Sequence, residues 1–168
     1  MSEEKPKTKN NRNTIIAGGI GVLTGIILCA IIMISVMPSM MIVTKESKLG
    51  FDETVEKLQE RIIEQGWAVK GVKDISHEIN NAGFSFEPKI KLINLCKPEY
   101  AKSVLTTDRH VSCLMPCTMS VWEGNDGKVY LSEMNMSLMA KLFGGNISKI
   151  MGGKVVNDEE KMLEGLLK

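Results

Sequence analysis

Two thiols and two thioethers recur at alternate positions in the segment HVSCLMPCTMSVWE, residues 110–123. If this segment is one long β-strand, Cys113, Met115, Cys117 and Met119 share a face, because side chains alternate between the faces of a strand. Thiolates and thioethers are soft ligands that select Cu(I) and similar metals. The same residue types also fill cores, since free cysteine is mostly buried and methionine fits irregular gaps. A soft-metal site and ordinary core packing therefore remain open as interpretations.

Other residues extend this candidate site. Cys96 ends the preceding predicted strand and could lie beside Cys117, where a disulfide can form in an oxidising compartment. Haem is a second option, because Met, His and Cys are known axial ligands and His77 lies in a predicted loop. The predicted cofactor-binding residues are therefore Cys96, Cys117, His77 and Met115. The predicted metal ligands are Cys96, Cys117 and Met134, and copper is the metal that they suit.

Enzyme motifs are missing from the chain. There is no C-x-x-C pair, no H-E-x-x-H and no nucleophile elbow, and the glycine-rich GGNISKIMGG lacks the Lys-Ser/Thr ending of a phosphate loop. A reactive Cys96 or Cys117 would need a nearby base or cation to lower its pKa. The sequence shows no such partner, so a non-enzymatic binding role is favoured and no catalytic residue is predicted.

A long uncharged segment precedes these residues. No charged residue occurs between Thr14 and Thr44, and about 20 apolar residues suffice to cross a bilayer. A cleaved signal has a core of about 7–15 apolar residues and a small-residue cleavage site, neither of which fits this segment. The sequence predicts a single-pass transmembrane anchor over residues 14–37, with Pro38 ending or kinking the helix.

Basic residues flank the anchor unevenly. Two follow it, Lys45 and Lys48, and four precede it: Lys5, Lys7, Lys9 and Arg12. The positive-inside rule then predicts a cytoplasmic tail over residues 1–13 and an extracytoplasmic domain over residues 41–168. The predicted location is the cell membrane.

Small residues recur every four positions within the anchor, at Ala17, Gly21, Gly25 and Cys29. Such a stripe lets two membrane helices approach closely, which predicts a homodimer or another membrane protein as partner. Acidic and basic residues nearly balance in the rest of the chain, and no basic stripe appears. Nucleic-acid binding is therefore not expected.

The outer domain alternates predicted strands and helices. Hydrophobic periodicity indicates a first strand MMIVTKES, then a helix capped by Asp52 and ended by Gly66. Further strands are expected at WAVKGVKDI, at residues 89–96, over residues 110–123 and at KVYLSEMN, the last two joined by an Asp126-Gly127 turn. Two closing helices are expected to separate at Gly152-Gly153. This order predicts an α+β fold with a largely antiparallel sheet flanked by helices, preceded by one N-terminal transmembrane helix.

Two segments, INLCKPEYAKSVL and LMPCTMSVWEGNDGKVYLSEMN, resemble the Domain of Unknown Function 302 (DUF302) family. The resemblance runs from about Met41 to at least Asn135, and its most specific parts are Cys96-x-Pro98 and Pro116-Cys117. It implies a small α+β fold, often dimeric, without an established reaction. It also places Cys96 and Cys117 at strand ends, whereas Cys113 and Met119 are expected to pack inside the strand.

The anchor lies outside the family's core pattern and suggests a membrane-anchored subtype. The predicted protein is a membrane-anchored extracytoplasmic binding domain that holds haem or a soft metal in an electron-transfer or sulfur-handling setting. The alternatives are a structural or interaction subunit of a membrane complex, and a thiol-dependent enzyme that uses Cys96 or Cys117.

Overall fold

The computed structural model describes residues 11–168, which divide into two compact units with a boundary between Ser39 and Met40. Residues 1–10 of the predicted tail lie outside the described residues. Helix α1, Asn11–Met41, forms the first unit and contributes its last two residues to the second.

Helix α1 is apolar and exposed over the 24 residues Gly18–Met41. At 1.5 Å per residue these residues extend for about 36 Å, enough to cross a hydrocarbon core about 30 Å thick. A signal sequence near an N-terminus can also meet these criteria of length and hydropathy. Pro38 lies inside the helix, which ends three residues later at Met41 and not before the proline.

The second unit contains five strands, six α-helices, one 3-10 helix and one π-helical segment. The strands are β1 Ile42–Glu46, β2 Ala68–Asp74, β3 Ile90–Cys96, β4 Cys117–Glu123 and β5 Val129–Met134. The α-helices are α2 Phe51–Glu64, α3 Ile75–Asn81, α4 Pro98–Thr107, α5 Met136–Phe143, α6 Gly145–Lys149 and α7 Val156–Leu163. A 3-10 helix, Arg109–Leu114, precedes β4, and a π-helical segment, Ile150–Val155, joins α6 to α7.

The strands form one antiparallel sheet in the order β1-β5-β4-β3-β2. One face of the sheet is buried through alternate residues, including Ile93, Met119, Val121 and Leu131. These residues join a core cluster with side chains from α2, α4, the π-helical segment and α7. The fold is therefore α+β, a five-stranded antiparallel sheet flanked by helices, as the sequence predicts.

The long strand predicted for residues 110–123 is wrong in its first half. Residues up to Leu114 form the 3-10 helix, and β4 begins only at Cys117, after Pro116. Val111 is buried and Leu114 packs against the core. Their spacing of three residues matches one turn of a 3-10 helix, which a short alternating pattern does not distinguish from a strand.

Two predicted helix boundaries also differ. Gly50 is the N-cap of α2, and Asp52 lies in the first turn, where its carboxylate contacts Lys91 at 3.0 Å. The C-terminal helices break at Gly144-Gly145, where both glycines have positive φ, and continue through Gly152 as a π-helix. Glycine tolerates both conformations, so the sequence alone does not show which glycine pair breaks the helix.

Candidate functional site

A small cavity at one end of β3 and β4 is lined by four sulfur-bearing side chains, those of Cys96, Met115, Cys117 and Met151. We call it the sulfur cavity. Its volume is about 20 Å³, which is room for roughly one water molecule or one ion.

The backbone explains why the two cysteines meet. Strand β3 ends at Cys96, and the preceding residue, Leu95, pairs with Cys117 at the start of β4. Antiparallel neighbours lie about 4.7–4.9 Å apart, so the two cysteines occupy the same end of adjacent strands. Both are free thiols. Met115 comes from the segment that enters β4, and Met151 comes from the π-helical segment.

A hydrogen-bonded network fixes the aromatic wall of the sulfur cavity. The Oδ2 atom of Asp158 accepts hydrogen bonds from Trp67 Nε1 at 2.9 Å, from Lys97 Nζ at 2.9 Å and from Tyr100 OH at 3.1 Å. Trp67 and Tyr100 also meet edge to face, with ring centroids 5.7 Å apart. Three donors on one carboxylate oxygen hold both rings in place.

Charges in this network balance one another. Burial opposes ionisation of Asp158, but its hydrogen bonds from Lys97, Trp67 and Tyr100 outweigh burial and hold its pKa below the usual range. Burial also opposes the charge on Lys97, and its bonds to Asp158 and Tyr100 raise its pKa nevertheless. Lys97 therefore stays paired with Asp158, which reduces its repulsion of a cation in the cavity.

Cys117 is a protonated thiol in this environment. Burial raises its pKa to about 12, and the nearby charges of Glu159 and Cys96 act in the same direction. A thiol must lose its proton to become a nucleophile or an anionic ligand. Cys117 therefore reacts only with a partner that can displace that proton.

A second sulfur-rich cavity shares Cys117 and Met151 with the first. It has the same volume, about 20 Å³, and its other sulfur atoms belong to Met134, Met136 and Met139. Six soft side chains thus surround Cys117 across two adjoining cavities. Met134 lines this second cavity and not the sulfur cavity, whereas Cys96 lines only the sulfur cavity.

The structure separates His77 from the other predicted residues. His77 is exposed on α3, which follows Asp74 at the far end of β2. Asp74 pairs with Lys91 at the start of β3, whereas Cys96 is at the other end of that strand. A single ion or haem in the sulfur cavity would therefore not contact His77.

Cys113 was expected to be a packing residue, and this is wrong. It is exposed on the 3-10 helix, with its thiol near the carbonyl oxygen of His110. Met119 is 2 % exposed and does belong to the core. The two residues differ because the strand that was expected to contain both begins only at Cys117.

Sequence reasoning missed Met151, Trp67 and Tyr100 as cavity residues. Their positions along the chain carry no signal, because three separate elements bring them together. Among residues 11–168, no group of three or more His, Cys, Asp or Glu side chains could hold a metal ion. A metal site here must therefore include thioether ligands.

Comparisons with known proteins indicate the family. The model of the family described as "Domain of unknown function DUF302" matches residues 43–168. A crystal structure described as an uncharacterized conserved DUF302 protein from Bacillus stearothermophilus is similar, with a TM-score of 0.66 and 20% sequence identity. The match covers 74% of this chain and 97% of that one, and at this identity it concerns the fold alone. No curated protein matches the chain.

Proposed function

The chain belongs to the DUF302 family, and on that premise we propose that it is a membrane-anchored extracytoplasmic binding domain that holds copper(I) in the sulfur cavity. The observation that carries this proposal is that Cys96, Met115, Cys117 and Met151 line one cavity. Two thiols and two thioethers form a donor set that suits Cu(I). Bound copper would supply one-electron chemistry in an electron-transfer or sulfur-handling setting.

Cavity size favours an ion over haem. Pockets for cofactor-sized ligands usually have volumes of about 300–1,000 Å³, whereas the sulfur cavity has about 20 Å³. A haem would require α4 to separate from the π-helical segment, which would break the contacts of Tyr100 with Trp67 and Asp158. A single ion requires no such separation.

Binding must displace protons. A coordinating thiol is deprotonated outright by its metal, and the raised pKa of Cys117 increases the cost of that step. Metal affinity should therefore increase with pH. The same raised pKa disfavours the thiol-enzyme alternative, because the neutral thiol is a poor nucleophile and both His77 and His110 are exposed.

The proposed membrane anchor is supported by the surface of α1. The helix is apolar around its whole circumference and exposed over its apolar window, whereas a surface helix of a soluble protein has one polar face. A Cβ atom added at Gly21 or Gly25 would meet nothing within 4 Å, so these positions leave room for a second helix. A dimer or a membrane-complex partner along this stripe remains part of the proposal.

Anaerobic titration of the full chain in mild detergent with copper(I), against a chromophoric copper(I) chelator, tests the proposal. We expect one equivalent to bind, with proton release, and Cys96→Ser or Cys117→Ser to weaken binding by at least about tenfold, since one tenfold step corresponds to about 1.4 kcal/mol of lost ligation. Met115→Leu should weaken it less, because a thioether is a weaker ligand than a thiolate.

Cys113→Ser is the matched control, since it changes an exposed thiol outside the cavity. Equal effects of Cys113→Ser and Cys117→Ser would contradict the site. Absence of copper binding in the wild type, together with unchanged thermal melts of both cavity variants, would instead favour an interaction subunit.

A further inference from the structure

A further cavity of the second unit lies between α7 and the strands β1 and β5. Its volume is about 760 Å³, within the range of sites for small organic ligands. Four glutamates line it, and the two least exposed are Glu133 from β5 and Glu159 from α7. We call it the acidic cavity.

Glu133 occupies a core position of the sheet. On β5 the alternate residues Val129 and Leu131 are buried, and Glu133 is the next residue on that face. It pairs with Met119 of β4, itself in the core, and with Val43 of β1. Its Oε2 atom is buried and has no hydrogen-bond partner among the described residues.

Glu159 faces Glu133 from the helix side. Its side chain is only 7 % exposed, and no hydrogen bond from residues 11–168 reaches its carboxyl group. Leaving a buried charged group without a partner costs several kcal/mol in general. Among the described residues, the Oε2 atom of Glu133 is the buried side-chain acceptor that lacks a donor, and Glu159 lines the same cavity.

Both carboxyl groups hold their protons unusually tightly. Burial raises the pKa of Glu133 to about 7, although Lys45 opposes the shift. Burial, followed by the charges of Glu133 and Asp158, raises the pKa of Glu159 to about 9. At neutral pH Glu159 thus remains protonated while Glu133 is about half ionised. A cationic donor would stabilise the ionised forms of both.

We infer that the acidic cavity binds a small organic ammonium ion, whose N–H groups donate to Glu133 and Glu159. An ammonium offers several donors and one positive charge, which two facing carboxylates can satisfy together. The alkyl body would lie on the apolar part of the wall, formed by Val43, Met134, Met136, Val156, Leu163 and Leu167.

The composition of the wall argues against a metal ion in this cavity. Hard cations such as Ca²⁺ take 6–8 oxygen ligands, and among residues 11–168 no group of three or more His, Cys, Asp or Glu side chains could hold a metal ion. A volume of about 760 Å³ also exceeds what an ion needs. An organic cation uses both the carboxylates and the apolar wall.

Further charged residues of both signs surround the acidic cavity. Lys45 of β1 and Lys168 at the C-terminus face it, and α7 adds Glu160 and Lys161. Beyond α7, Glu164 lines the mouth, and Asp158 acts on Glu159 from the other side of the helix. The basic residues at the rim favour a monoamine over a diamine.

The test is calorimetric titration of the full chain in mild detergent with n-butylamine at pH 8, with blank micelles subtracted. We expect one site and no binding of butan-1-ol, which has the same alkyl body without the charge. Glu133→Gln and Glu159→Gln should each weaken butylamine binding by at least about tenfold, through loss of a charge-assisted hydrogen bond.

Glu53→Gln is the matched control, because Glu53 is exposed on α2 and does not line the acidic cavity. It should change affinity by less than about twofold, as expected for an exposed charge. Thermal melts verify that each glutamine variant is folded. Copper(I) titration of Glu133→Gln should be unchanged, so this test and that of the sulfur cavity are independent.

Three results would overturn the inference. One is the absence of heat beyond that of blank micelles with folded wild-type protein. Another is equal binding of butylamine and butan-1-ol, which would make the site merely apolar. The third is manganese(II) binding that both glutamine variants abolish while butylamine has no effect, which would make the cavity a divalent-cation site.

Discussion

Residues of one type differ sharply in environment in this molecule. Cys113 and Cys117 are four positions apart, yet one is exposed and the other is held at the junction of two cavities. Burial makes Cys117 a weak acid with a pKa of about 12. The two cysteines therefore differ because of their surroundings. Exposed Cys113 can react as a thiol, whereas Cys117 must first lose its proton to a binding partner such as a metal ion.

Thiol reactivity should reveal this difference. At pH 8 a group with a pKa of about 12 is ionised in only about one molecule in ten thousand. We expect N-ethylmaleimide to modify Cys113 first in the native chain and Cys117 at least about a hundredfold more slowly. Peptide mass spectrometry of timed samples measures both rates.

Cys113→Ser should remove the rapid modification within residues 40–168, and unfolding in urea should make Cys117 react freely. Modification of native Cys117 as fast as Cys113 would contradict the burial of its thiol.

At the scale of elements, the C-terminal helices position one wall of the sulfur cavity. The π-helical segment carries Met151 and packs against α5 through Gly152, where a Cβ atom would lie 2.7 Å from the Cβ atom of Ala140. A Cβ atom at Gly153 would meet nothing within 4 Å. Gly152 therefore permits a close approach of two helices, and Gly153 does not serve that purpose.

Alanine at these neighbouring positions should have opposite effects. Gly152→Ala should destabilise the domain by about 1–3 kcal/mol, because overpacking forces α5 and the π-helical segment apart. Gly153→Ala should be neutral or stabilise it by up to about 1 kcal/mol, since alanine restricts the unfolded chain more than glycine does. Urea unfolding in mild detergent, followed by circular dichroism, measures both.

Copper affinity provides a second measurement for this pair. Gly152→Ala should also weaken copper binding, because the displaced segment carries Met151. Equal stability of the two variants would show that the contact with Ala140 does not limit the packing of α5.

At the scale of the whole molecule, an apolar helix precedes a domain that has its own core. The boundary falls between Ser39 and Met40, and β1 begins two residues later at Ile42. A core that includes no residue before Phe51 does not need α1 for its packing. We propose that the helix is the anchor, with an orientation set by the flanking charges.

Reporter fusions should establish the orientation. Four basic residues before the apolar segment and two after it favour an extracytoplasmic C-terminus. We expect alkaline phosphatase fused after Lys168 to be active and a green fluorescent protein fusion at the same position to be dark. The reciprocal result would place the domain in the cytoplasm, and secretion of the fusion without its first residues would identify a cleaved signal.

Replacing Lys5, Lys7, Lys9 and Arg12 with glutamine is the control for this prediction. It should reduce alkaline phosphatase activity by allowing the opposite orientation. The predicted dimer along the small-residue stripe stays a prediction at this scale.

Local sequence signals were sufficient for most of the fold. The apolar segment, the hydrophobic periodicity of α2, Pro98 at the start of α4 and the Asp126-Gly127 turn each indicated an element that the structure contains. Such signals work because hydrogen bonding and side-chain periodicity within an element depend on residues close together in the chain. The α+β class follows from the order of those elements, whereas the family resemblance rests on particular motifs, above all Cys96-x-Pro98 and Pro116-Cys117.

Tertiary structure alone decided which residues share a cavity. The meeting of Cys96 with Cys117 follows from the register of β3 against β4, whereas Met151, Trp67 and Tyr100 join them from distant elements. In the same way, Glu133 occupies a regular strand position whose burial becomes apparent only when α7 brings Glu159 against it. Burial and pKa depend on atoms distant in sequence, so the sequence suggested that Cys96 could lie beside Cys117 but indicated neither the other walls of the sulfur cavity nor the acidic cavity.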